Sequence, residues 1–132
     1  MNTKRKTGIL VAEDMGEMRM LLGMILKELG YTSLYFASSG AEAVKLCEKE
    51  RIRIAFLDIE MPGISGIEVM KQLHAARPEC YCLIVSAHSE IENVRAALEA
   101  GARGFVVKPY RSQKIADVLA DFEAAARGAK AA

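Results

Sequence analysis

The chain has 132 residues, enough for one domain with a single core and too few for a second. Its 18 Lys and Arg residues stand against 17 Asp and Glu, a formal net charge of +1, which gives no electrostatic footing for bulk nucleic-acid or membrane binding. No apolar segment is long enough to span a bilayer.

In chain order, residues 1–7 carry the cluster Lys4-Arg5-Lys6 and are expected to form a solvated basic arm, too polar to be a signal peptide. Ile9-Leu10-Val11-Ala12 follows, a strand-length apolar run that stops at Glu13-Asp14. Met18, Leu21, Leu22, Ile25 and Leu29 then recur at helical spacing, with Gly30 at the C′ position. Ser33 to Ala37 reads as a strand, and Ala43, Leu46 and Cys47 as the apolar stripe of a helix entered at Ser39-Gly40. Ile54-Ala55-Phe56-Leu57 ends on Asp58. Ser65-Gly66-Ile67-Glu68 has the Ser-x-x-Glu capping pattern and opens a helix with Ile67, Met70 and Leu73 inward, closed by Pro78. Cys82-Leu83-Ile84-Val85 ends on Ser86. A second capping pattern, Ser89-Glu90-Ile91-Glu92, leads into a helix with the stripe Val94, Ala97 and Leu98, stopped at Gly101. Phe105-Val106-Val107 ends on Lys108, and after Pro109 a last helix carries Ile115, Val118, Leu119 and Phe122. The stretch Ala124 to Ala132 reads as a fraying helix end or a linker stub.

Strand and helix alternate five times, which implies a parallel sheet with helices on both faces. Short apolar runs without polar alternation are the pattern of strands buried on both sides. Right-handed crossovers restrict the topology, and five strands suit the doubly wound order 2-1-3-4-5, in which the first and third strands are neighbours. The C-terminal ends of parallel strands share one edge, where open α/β sheets place their ligand sites. Glu13, Asp14, Asp58, Ser86 and Lys108 all end strands, so they converge there.

Several carboxylates in one place repel one another unless a cation sits among them, and hard oxygen donors suit Mg²⁺. The competing reading is that Glu13, Asp14 and Asp58 only cap the helices that follow. Lys108, fixed by the X-Pro turn, can pair with Asp58 or with phosphoryl oxygens, and Ser86 can donate a hydrogen bond to the same oxygens. Such a site stabilises charge in phosphoryl transfer, with Asp58 as the nucleophile that becomes an acyl phosphate. The three cysteines, Cys47, Cys80 and Cys82, are an odd number without export signals and read as reduced, buried thiols of a cytoplasmic protein.

Glu13-Asp14, Asp58 with Met61-Pro62-Gly63 and Gly66, Ser86-Ala87, and Phe105-Val106-Val107-Lys108-Pro109 together resemble the signature of two-component response-regulator receiver domains, over residues 8 to 125. The resemblance implies a flavodoxin-like fold of five strands and five helices, a receiver domain at residues 8–126 and a tail at 127–132. It implies that Asp58 accepts a phosphoryl group from a sensor histidine kinase or a phosphotransfer protein. Asp14, Asp58 and the backbone carbonyl of Glu60 would bind Mg²⁺, with Glu13 acting mostly through water, and Lys108 would hold a phosphoryl oxygen. Ser86 and Phe105 match the residues that move on phosphorylation, and Pro109 the proline after a cis peptide bond. Glu60, two residues beyond Asp58, is expected to modulate the lifetime of the phosphoryl group, and His88, two beyond Ser86, lies on the same rim as a modulating candidate whose competing reading is an exposed loop residue. The output partner, or a second copy of the chain, is expected on the face of the fourth helix, fifth strand and fifth helix, near exposed Arg95, Glu99, Arg103, Tyr110, Arg111 and Lys114, with neither membrane nor direct nucleic-acid binding.

Three other readings compete. A haloacid-dehalogenase-type phosphohydrolase is loosely imitated by Asp58-Ile59-Glu60, but that family places its nucleophile on the first strand. A flavodoxin needs a phosphate-cradling loop after the first strand, where Glu13-Asp14-Met15 would repel phosphate. The third is a receiver fold that serves as an interaction module and is not phosphorylated.

Overall fold

The computed structural model describes residues 3–88 and 91–131. A single helical turn, Thr3–Lys6, precedes β1 (Ile9–Ala12), and α1 (Gly16–Glu28), β2 (Leu34–Ala37), α2 (Gly40–Lys49), β3 (Ile54–Asp58) and α3 (Gly66–Ala76) follow. The chain continues through β4 (Tyr81–Ser86), α4 (Ile91–Glu99), β5 (Gly104–Val107) and α5 (Ser112–Ala131). The basic cluster is exposed, but Thr3–Lys6 is one turn of helix, where the Thr7 hydroxyl donates to the Thr3 carbonyl at 2.9 Å and Lys4 Nζ reaches the Leu29 carbonyl at 3.3 Å. The stretch from Ala124 continues α5 as helix to Ala131.

All five strands are parallel, in the order β2-β1-β3-β4-β5. Period-two alternation divides the core between the faces. Ile9, Val11, Ile54, Phe56, Leu83, Val85 and Val106 pack with Leu22, Leu26, Ile115, Leu119 and Phe122 of α1 and α5. Leu10, Ala12, Ala55, Leu57, Cys82 and Ile84 pack on the other face with Ala43, Cys47, Met70, Leu73 and Ala97 of α2, α3 and α4. Full burial of a side chain such as Phe56 contributes about 1.5–3 kcal/mol, so each face is held by several such contributions.

The central strands are buried along their whole length, whereas β2 and β5 are not. Being edge strands, these two leave Phe36 41% and Val107 43% exposed, so the expectation of burial on both faces fails for the Phe105-Val106-Val107 run. Leu98 also departs from its expected place in the α4 stripe. It is 50% exposed while Ala97 faces the sheet, because the short apolar face of α4 is centred one residue earlier.

Helix starts follow the local signals where they are described. The Ser39 hydroxyl accepts from the Glu42 N–H and the Ser65 hydroxyl from the Glu68 N–H, each satisfying an amide that the helix leaves free. Ser89 and Glu90, half of the second Ser-x-x-Glu pattern, lie outside the described residues. Gly30 and Gly101 end α1 and α4 with φ of 99° and 112°, the left-handed backbone region that glycine enters without strain.

Candidate phosphoacceptor site

Register alone brings the site together. Ala12 pairs with Leu57, Asp58 with Val85, and Ser86 with Val107, so the residues just beyond these pairs emerge side by side at the C-terminal sheet edge. Glu13 is two residues after Val11, Asp58 two after Phe56, and Lys108 two after Val106, so all three belong to the α1–α5 side of the sheet. Ser86 and Phe105 fall on the opposite side by the same count, with Ile84 below them.

Glu13, Asp58 and Ser86 are buried, while Asp14 is exposed. One carboxylate oxygen from each of Glu13, Asp14 and Asp58 lies within 4.8 Å of the others. Lys108 Nζ lies 2.6 Å from Glu13 Oε1 and 2.8 Å from Asp58 Oδ2. The Lys108–Pro109 peptide is cis, as the resemblance implied. Asp58 Oδ1 accepts from the Glu60 N–H at 3.0 Å, and Glu13 Oε2 from the Met15 N–H at 3.3 Å. Both carboxylates therefore brace local turns, but their remaining oxygens face the ammonium, so capping does not account for them.

One ammonium is shared by two buried carboxylates, with a third close by. Burial and the neighbouring Asp58 push the Glu13 carboxyl up to about 7 in spite of Lys108. Burial works against the charge of Lys108, yet its bonds to Asp58 and Glu13 outweigh that and hold its pKa above the usual lysine value. Negative charge exceeds positive charge, and every donor is a hard oxygen, so the set fits a small divalent cation of the Mg²⁺ type.

A cleft of about 490 Å³ opens over these groups, lined by Asp14, Met18, Asp58, Glu60, Ala87 and Lys108. At its rim, His88 Nε2 sits 3.4 Å from Glu60 Oε1, joining the loop after β3 to the loop after β4. Ser86 Oγ accepts from the His88 N–H at 3.0 Å. Phe105 is half-buried against the α2–α3–α4 side. Gly66 allows the loop after β3 to close, since a Cβ there would stand 2.3 Å from the Asp58 carbonyl oxygen.

Tyr110 differs from its sequence reading. It is only 8% exposed, and its hydroxyl donates to Glu13 Oε1 at 3.3 Å. The ring joins Val106, Ile115 and Val118 beneath α5, which removes it from the expected partner surface, and burial with the Glu13 charge raises its pKa. An aromatic side chain directly after Lys108-Pro109 and ahead of an apolar helix stripe was the available signal. Arg19 is the second addition. Its Nη1 donates to the Glu13 carbonyl at 2.8 Å and fixes the turn that presents Asp14.

The response regulator receiver domain family matches residues 9–120. The chemotaxis protein CheY of Thermotoga maritima is 32% identical over 111 residues, covering 84% of this chain and 92% of that protein. A cyclic di-GMP phosphodiesterase from the same organism is 37% identical over 101 residues, 76% of this chain but only 27% of the relative's length. Among solved structures, the CheX-CheY-BeF3-Mg²⁺ complex of Borrelia burgdorferi superposes with a TM-score of 0.83 at 27% identity, covering 88% of this chain and 89% of that one.

Proposed function

The chain belongs to the response regulator receiver family, a phosphoacceptor of two-component signalling rather than a classical enzyme, and on that basis we propose that Asp58 is the residue phosphorylated. The observation that carries this assignment is the contact of Asp58 Oδ2 with Lys108 Nζ at 2.8 Å beside the acidic triad. An Asp58 oxygen attacks the phosphorus of a phosphohistidine on a sensor kinase or phosphotransfer protein. The new P–O bond forms as the P–N bond breaks, and the departing imidazole nitrogen keeps the electron pair. Lys108 then turns one of its donors from the carboxylate to a phosphoryl oxygen.

Asp14, Asp58 and the Glu60 carbonyl would hold Mg²⁺, with Glu13 acting through water, and the ion would supply positive charge to offset that on the phosphoryl oxygens. The acidic triad is typical of an Mg²⁺ site, and the Borrelia complex contains that ion. Ser86 turns its hydroxyl to the phosphoryl group, and Phe105, on the same side of the sheet, moves inward with it. The change reaches the face of α4, β5 and α5, where Arg95, Glu99, Arg111 and Lys114 stand exposed for an effector or a second copy. The receiver unit spans residues 8–126. No helix among the described residues is long and apolar enough to cross a membrane. We place the chain in the cytoplasm, where the free thiols Cys47, Cys80 and Cys82 stay reduced.

Intact mass after incubation with acetyl phosphate tests the assignment. One phosphoryl group should be gained with Mg²⁺, none after chelation, and none in Asp58→Ala. An unchanged wild-type mass would favour the unphosphorylated interaction module, and a gain that persists in Asp58→Ala would move the acceptor elsewhere.

A further inference from the structure

The sheet has a second edge. Arg53 directly precedes β3, Tyr81 opens β4, and Arg103 directly precedes β5, so all three stand at the N-terminal strand ends, away from Asp58. The ladder extends into this edge. The Tyr81 N–H donates to the Arg53 carbonyl at 3.0 Å, and the Arg103 N–H to the Cys82 carbonyl at 2.8 Å. These backbones are therefore as fixed as the strands they extend.

Each arginine is laid over a ring. Arg103 Cζ is 4.9 Å from the centroid of Tyr81 and Arg53 Cζ 5.9 Å from that of Phe122, and the two rings meet edge to face at 5.4 Å. A guanidinium drawn to a ring by cation–π attraction keeps its N–H groups available to a further partner. Among the described residues, neither guanidinium has a hydrogen-bond or ion-pair partner. Two braced cations thus share one cleft of about 380 Å³, whose lining includes a single carboxylate, Glu79. Ala125 of α5 forms part of the wall, and its small side chain leaves room above the rings.

We propose that this cleft binds a small phosphorylated ligand of nucleoside-monophosphate size, with Arg53 and Arg103 gripping the phosphate. Guanidinium forks match phosphate oxygens in pairs, and two of them offset a dianion without a metal. The cleft volume falls within the range of small-molecule pockets, about 300–1,000 Å³, which favours such a ligand over an acidic peptide laid across the surface. Glu79 accepts from a ribose hydroxyl or a base amine, and the apolar floor takes the rest. β3 and β5 run from this cleft to Asp58 and Lys108, a distance of about 3.3 Å per residue, so the two sites are separate.

The test is titration of the metal-free chain with AMP, adenosine, inorganic phosphate and a poly-Glu peptide, read by ¹H–¹⁵N correlation of the arginine Nε–H and backbone amides. AMP should shift the Nε–H signals of Arg53 and Arg103 and the amide of Tyr81, while adenosine should not. Arg53→Lys and Arg103→Lys keep the charge and lose the fork, and each should weaken AMP binding by about tenfold at unchanged thermal stability. Silence towards millimolar AMP, shifts confined to the surroundings of Asp58 and Lys108, or unaltered affinity in both lysine variants would overturn the proposal. Phosphate or adenosine binding as tightly as AMP would overturn the ligand class, as would a response to the peptide alone.

Discussion

The Tyr110 hydroxyl and the Glu13 carboxylate meet at 3.3 Å across 97 positions of sequence, and this bond ties the start of α5 to the loop after β1. Glu13 thereby has three partners, Tyr110, Lys108 and the Met15 N–H, while its side chain is buried. Tyr110→Phe keeps the ring in the core and deletes only the donor. The variant should lose about 1.5–3 kcal/mol in urea unfolding without metal, the range of a hydrogen bond to a charged group, and should still accept a phosphoryl group. A loss of phosphorylation at unchanged stability would place Tyr110 in the chemistry instead.

Lys108 is the only side-chain cation paired with the carboxylates of Glu13 and Asp58 among the described residues. Lys108→Met should destabilise the metal-free protein by about 2 kcal/mol, the cost of an orphaned buried charge discounted for the open cleft. Mg²⁺ supplies positive charge to the same carboxylates, so it should stabilise the variant more than the wild type. At ten times its Kd, mass action alone gives the wild type about 1.4 kcal/mol. Urea unfolding in Mg²⁺ and in chelator measures both gains, and equal gains would show that lysine and metal do not share the carboxylates.

Gly66 has no room for a side chain, because the obstacle is the Asp58 backbone rather than a movable group. Gly66→Ala should cost about 1–3 kcal/mol, as overpacking does. It should also slow phosphorylation by acetyl phosphate, since the loop it displaces carries the Glu60 carbonyl. A normal melting temperature with normal kinetics would remove this glycine from the account.

The His88–Glu60 contact crosses the mouth of the cleft with both side chains largely exposed, at 54% and 67%. Opening it gives water a freer path to an acyl phosphate on Asp58. Glu60→Gln and His88→Ala should each speed dephosphorylation by about threefold, well under the tenfold that 1.4 kcal/mol represents. The double variant should be no faster than either one. Rates equal to wild type, followed by loss of the phosphoryl mass with time, would exclude the pair from any such role.

Much of this molecule is written locally. Ile9 to Ala12, Ile54 to Leu57 and Cys82 to Val85 are continuous apolar runs, and only a strand covered on both faces tolerates that in water. Alternation with helices then dictates a parallel sheet, and a parallel sheet puts Glu13, Asp58, Ser86 and Lys108 on one edge. Tertiary structure decided what local pattern does not encode. Whether Val107 and Leu98 are covered depends on which strand lies at the edge and how α4 is rotated against the sheet. Tyr110 turned inward because Glu13, nearly a hundred residues earlier, offers a buried acceptor, and no window of sequence contains both. The same limit hid the arginines at the far edge. Sequence alone gives Arg53 no role and puts Arg103 near the expected partner face, whereas the pairing of β3, β4 and β5 sets both at the opposite edge, beside Tyr81 and Phe122. Periodicity determines which face a residue takes within its own element, and only packing between elements determines what it meets there.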